Sequence, residues 1–237
     1  MRKILVLCAI LLSVADSDLV AQSVSLGFET GVSSTQLVTP ENYWGSRVGY
    51  VLGVSASVAL SPWLAVQAGL RFHEKGAAVT DTFDMRIRYL EFPILVRFGV
   101  GRPEWPIRPL LTFGVAPAAE LACAAQGLPP TLSQASASRL VSFDCSSDRT
   151  DLWDDGLIAG AGFEVRLGRL RAALLAQRTA GQHNIASGYP YGFPIHNRAT
   201  SVVLSIAVPI WDPRPSNPRL QRSGTAASRP ADGGAIE

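Results

Sequence analysis

Beyond residue 22 the apolar residues recur at every second position, the period of a strand whose two faces meet different surroundings. In the first such segment Val24, Leu26, Phe28, Thr30 and Val32 alternate with Ser25, Gly27, Glu29 and Gly31. The same alternation returns over 48–60, 64–73, 89–98, 108–120, 157–167, 170–177 and 201–210. Spacing of three or four, the mark of an amphipathic helix, is nearly absent. The pattern predicts eight antiparallel strands. Their connections alternate as well, long at 34–46, 77–83, 124–152 and 186–196, short at 61–62, 101–106 and 168. Even strand number, with short turns at one end and long loops at the other, predicts an all-β, up-and-down transmembrane barrel of the bacterial outer membrane. Pro93 lacks a ladder donor and predicts a local break in the fourth strand.

A soluble barrel would carry its apolar face inward, so the other face decides between the two readings. That face holds Glu29, Glu91, Glu120 and Glu164 with Arg71, Arg97, Arg108, Arg166 and Arg171, interspersed with glycines. Lys75 is the only lysine beyond residue 3, whereas a water-exposed outer wall would be rich in lysine. Small residues beside mixed charges suit a narrow lumen, where each carboxylate can satisfy a guanidinium. The nine residues are therefore expected to form a charge network that plugs the barrel, with Glu91 and Arg97 reaching partners such as Arg71 or Glu120. Aromatic residues sort by end: Trp63, Phe98, Trp105 and Trp211 near the short turns, Tyr50, Phe72 and Trp153 near the long loops. Girdles of this kind mark the two interfaces of a membrane barrel.

Composition agrees. Only 17% of the 237 residues are charged while 47% are hydrophobic, and no apolar run reaches the roughly 18 residues of a membrane-spanning helix. The balance of 21 basic and 19 acidic residues is scattered, so nucleic acid is excluded as a partner. Arg2 and Lys3 followed by apolar 4–14 predict a secretory signal peptide over residues 1–21, cut after Ala21, with Ala15 the competing site. The barrel is expected over 22–211 and a disordered periplasmic tail, rich in Pro, Arg, Ser and Gly, over 212–237.

One stretch is more specific. His73-Glu74-Lys75-Gly76, a loop, then Arg88-Tyr89-Leu90-Glu91-Phe92-Pro93 resembles the signature of PorT-like outer-membrane β-barrel domains. Gln177-Arg178-Thr179 through Gly181 and Asn184-Ile185 is similar to that family's penultimate strand ending. The resemblance runs from about Val24 to Trp211, with Phe92 where isoleucine is common. It implies a fold and a location, and the family is functionally mixed.

Chemistry is sparse. His73, His183 and His196 are the only imidazoles, none in a recognisable motif with Ser and Asp or Glu, so no catalytic residue is assigned. Asp148, Asp151, Asp154 and Asp155 miss the EF-hand spacing and read as a solvated acidic loop, so neither a metal nor a cofactor is expected. Cys123 and Cys145 would meet in an oxidising compartment and are expected to form a disulfide closing the largest surface loop. Arg86, Arg88 and Arg178 share the lipid-facing parity near the long loops, where they are expected to contact lipopolysaccharide. The expectation is a monomeric, non-enzymatic barrel in contact with outer-membrane lipid, serving surface binding or envelope structure. A small-solute channel and a surface lipid-modifying enzyme are the alternatives.

Overall fold

The computed structural model describes residues 23–38, 45–80, 83–102, 105–127, 141–144, 153–185 and 194–212. The strands are β1 (Ser23–Val38), β2 (Arg47–Ala59), β3 (Leu64–Thr80), β4 (Phe83–Glu91), β5 (Ile94–Gly99), β6 (Ile107–Gly127), β7 (Val141–Asp144), β8 (Trp153–Leu167), β9 (Leu170–Gly181) and β10 (His196–Trp211). Every pairing is antiparallel. The β2-β1-β10-β9-β8-β6-β4-β3 order closes through a β2–β3 ladder. Strands β4 and β5 form one wall, so eight walls make a closed ring, and β7 pairs with the upper end of β6 on the edge that β8 takes lower down. Closure leaves no ladder edge toward lipid, the condition for strands to cross a bilayer.

The wall breaks at Phe92 and Pro93. Proline has no N–H to donate, and the gap is bridged by Phe92 N–H to Pro117 O at 2.8 Å and by Gly69 N–H to Pro93 O at 2.9 Å. A second irregularity in β6 skips Leu121, since Arg88 faces Ala122 while Tyr89 faces Glu120.

Parity assigns the faces through the mid-barrel. Leu26, Phe28, Leu52, Val54, Leu174 and Ile206 are exposed on the outer wall, whereas Ser25, Glu29, Gln67, Arg71, Gln177 and Ser205 are buried inside. The rings of Tyr50 and Phe72 stack outside with centroids 5.5 Å apart, and Trp63 stacks on Phe98 near the short turns. These pairs mark the two interfaces.

Above the Tyr50–Phe72 level the pattern inverts. Leu37, Ala77, Met85, Ile87, Cys123, Ile185 and Ile195 join one buried apolar cluster, while Glu74, Arg86 and Arg88 lie on the outer side. Apolar inside and charged outside is the arrangement water imposes, so the upper barrel stands clear of the hydrocarbon. The strands accordingly run further than the alternation predicts. The expected loop at 77–83 is instead ladder up to Thr80 and Phe83; β1 continues to Val38 and β6 to Gly127. The expected signal peptide and, beyond Asp212, the expected tail lie outside the described residues.

Candidate functional site

The most densely connected polar group fills the lumen below the apolar cluster and draws on five strands. Lys75 and His73 project from β3, Glu91 and Tyr89 from β4, Ser33 from β1, Asp154 from β8 and Asn197 from β10. All are buried. Glu91 accepts from Lys75 Nζ at 2.8 Å and lies 3.1 Å from His73 Nδ1, whose Nε2 is 3.1 Å from Ser33 Oγ. Lys75 also lies 3.6 Å from Asp154 and 4.9 Å above the Tyr89 ring, a cation–π geometry. Asn197 donates to Asp154 at 3.0 Å and to the Tyr89 hydroxyl at 3.1 Å. Gly76, at φ +145°, occupies backbone space that L side chains rarely adopt, and a Cβ there would collide with the Met85 carbonyl.

A second network lies beneath. Arg71 Nε donates to Glu29 at 2.6 Å and Nη1 to Gln177 at 3.1 Å. Gln67 donates to Glu29 at 2.6 Å and accepts from Arg97 at 2.7 Å, while Arg97 reaches Glu164 at 3.3 Å. Apolar contacts share the filling: Leu95, Ala116 and Ile158 form one inward cluster, Leu110, Ala173 and Leu175 another.

The structure therefore brings together most of the expected lumen residues, with different partners. Glu91 pairs with lysine and histidine rather than with Arg71, although Arg71 is directly opposite it in the ladder. Arg97 takes Glu164 rather than Glu120. Glu120 lies on the inward side of β6 facing Tyr89. Arg108 and Arg171 line a cavity at the short-turn end. Arg166 departs from expectation: it has inward parity but lies beyond the lumen, exposed at the β8–β9 turn. Lys75, Asp154, Tyr89, Asn197, Gln67 and Gln177 were missed as network members. Lys75 shares the parity of Arg71 and His73, a signal present in the sequence. Asp154 carried none, because it reads as part of an acidic loop and instead sits buried in β8 beside exposed Asp155.

Ser33, His73 and Glu91 stand in the order of nucleophile, base and orienting carboxylate. No sequence motif joins them; the closure of β1 against β2 and β3 does. Ser33 is 3% exposed.

On the outer wall Glu74 is held by three arginines, Arg47 at 3.1 Å, Arg86 at 3.5 Å and Arg88 at 3.9 Å. Arg47 also pairs with Asp84. Glu74 is two residues past Phe72, about 7 Å along the strand toward the loops, which puts this cluster just outside the aromatic girdle. Arg178 belongs elsewhere: it is exposed on β9, with β6 and β8 intervening between it and β4. Cys123 is buried within β6 rather than in a loop. Cys145, Asp148 and Asp151 lie outside the described residues. Among the described residues no three His, Cys, Asp or Glu side chains gather as a metal site would require.

A closed antiparallel ring with an apolar outer band, aromatic girdles and a polar filled lumen defines a bacterial outer-membrane β-barrel protein. Residues 20–177 match the family model for the outer membrane protein beta-barrel domain, and the chain belongs to that family. Its location is the bacterial outer membrane. No curated protein matches the sequence. Among solved structures, the chain is similar to Neisserial surface protein A at 8% identity, covering 77% of this chain and 96% of that one, TM-score 0.45. It is similar to Ail, the attachment invasion locus protein of Yersinia pestis, at 8% identity, covering 78% and 99%, TM-score 0.41. It is also similar to the outer membrane enzyme PagL at 18% identity, covering 76% and 99%, TM-score 0.36.

Proposed function

We propose that the protein is a non-enzymatic, monomeric barrel whose lumen is closed by its own side chains and whose outward end serves surface binding or envelope structure. The observation that carries this reading is the buried connection from Ser33 through His73, Glu91, Lys75 and Asp154 to Asn197. It spans the lumen with side chains from five strands, in a barrel only wide enough to be filled by them. Purified full-length protein in planar lipid bilayers is expected to show no steady conductance; steady ion flux would favour the channel instead.

The binding surface we assign is the outer cluster of Arg47, Arg86 and Arg88, set at the level of lipid phosphates, with lipopolysaccharide as the partner. Charge-assisted, bidentate contacts from guanidinium to phosphate are the chemistry expected there. Within the family, the His73-Glu74-Lys75-Gly76 and Tyr89-Leu90-Glu91-Phe92-Pro93 segments support placement among PorT-like barrels. Lys75, Gly76, Tyr89, Glu91 and Pro93 all shape the lumen, so that signature speaks to packing rather than activity.

The second reading, a surface lipid-modifying enzyme, has the Ser33–His73–Glu91 alignment in its favour and the burial of Ser33 against it. A fluorophosphonate probe is expected to leave the folded protein unlabelled; labelling lost in Ser33→Ala would reverse the order of the two readings.

A further inference from the structure

We propose that the short-turn end of the lumen is a binding site for a small water-borne oxyanion of the phosphate type. A cavity of about 60 Å³ opens there, room for roughly four to six waters at ~10–15 Å³ each and so for one tetrahedral oxyanion. The β2–β3 turn, including Trp63, borders it. Short turns of such barrels face the periplasm, so the anion enters from that side. The strand wall stands between the cavity and the acyl chains, and titration with vesicle-free phosphate separates the free ion from a lipid headgroup.

The lining is unequal in charge. Arg97, Arg108, Arg171 and one carboxylate, Glu164, line it with serine hydroxyls, and Arg171 is already engaged. Glu164 is engaged by Arg97. Arg108 lies directly opposite Glu164 in the β6–β8 ladder, yet among the described residues it makes no ion pair, and its Nε is buried without a hydrogen-bond partner. Ser23 Oγ, on a residue 1% exposed, is likewise buried and unpartnered. Two donors withdrawn from water without acceptors are costly. Both residues line the cavity, and an oxyanion held there would offer Arg108 a counter-charge and its neighbours an acceptor.

The position of Arg108 is built into the backbone. A Cβ on Gly99 would overlap the Arg108 guanidinium, so the side chain lies across the space that glycine leaves. The half of the lumen around Lys75 offers a contrast, because there Glu91 and Asp154 both lie within 4 Å of the ammonium. Around Lys75 every cation has a carboxylate beside it, whereas at the short-turn end Arg108 has none among the described residues. A planar guanidinium fork beside hydroxyl donors is the chemistry that recognises phosphate oxygens.

The test is titration of inorganic phosphate into the folded full chain in zwitterionic detergent, read by calorimetry and ³¹P line broadening against equal ionic strength of chloride. Saturable one-site binding is expected, weakened at least tenfold in Arg108→Gln and in Gly99→Ala and unchanged in Arg178→Gln, which alters the outer wall. Heat-modifiable migration on gels verifies that each variant is folded. Absence of saturable binding to the folded wild type would overturn the proposal. So would equal binding by wild type and both cavity variants, or an equal loss in Arg178→Gln.

Discussion

Replacing Glu91 by glutamine probes the lumen at its most connected point. The wild-type carboxylate is 1% exposed and holds Lys75 at 2.8 Å and His73 at 3.1 Å. Removing one member of a buried ion pair costs about 3–5 kcal/mol, because the remaining charge stays desolvated. Glutamine keeps an oxygen that can accept one neutral hydrogen bond, returning about 1 kcal/mol. Asp154 at 3.6 Å retains part of the compensation for the ammonium. The expected loss is therefore about 2–3 kcal/mol, set by an orphaned lysine rather than by an orphaned arginine. Urea unfolding in lipid bilayers, followed by tryptophan emission and by heat-modifiable gel migration, measures it. The cycle with Lys75→Met separates the pair from its surroundings. If the two charges stabilise one another, the double variant loses less than the single losses added together, with coupling of about 1–3 kcal/mol. A Glu91→Gln change within about 0.5 kcal/mol of wild type, the range of ordinary surface substitutions, or a cycle that adds without coupling, would refute this account of the lumen.

Ile94 is outward and exposed between Ala68 and Val115, so Ile94→Arg is expected to lose about 2–4 kcal/mol of stability by the same unfolding assay. Gln67→Arg is expected to destabilise the barrel measurably too, because Gln67 bridges Glu29 and Arg97 and the replacement sets a second guanidinium beside Arg97. Native mass spectrometry with lipopolysaccharide is expected to show binding that falls in Arg86→Gln/Arg88→Gln and falls less in Arg178→Gln; equal effects would remove the outer cluster as the site. Non-reducing peptide mapping of protein from cells is expected to recover Cys123 linked to Cys145, and both thiols free would reject the bridge.

How much of this was legible in the sequence follows from what a period of two can encode. Alternation assigns each residue of a strand to one face, and that was enough to send Leu26 and Phe28 to lipid and Glu29 and Arg71 to the lumen. Turn chemistry and strand number then implied closure and orientation, so the fold and its location were readable without coordinates. The upper strand ends were not, since beyond the girdle the solvent changes from hydrocarbon to water. There Met85 and Ile87 turn inward while Arg86 and Arg88 turn out; parity persists, but its chemical meaning reverses. Partners were also beyond reach. A ladder neighbour can be read from register, and register would have joined Arg71 to Glu91. Across a narrow lumen, inward side chains also meet residues from non-adjacent strands. Arg71 on β3 bonds Glu29 on β1, Lys75 on β3 approaches Asp154 on β8, and Ser33 on β1 meets His73 on β3. The sequence alone determined which face each side chain takes; the closed curvature of the ring decided which of them touch, because distance across the lumen is a property of the whole circle and of no single strand.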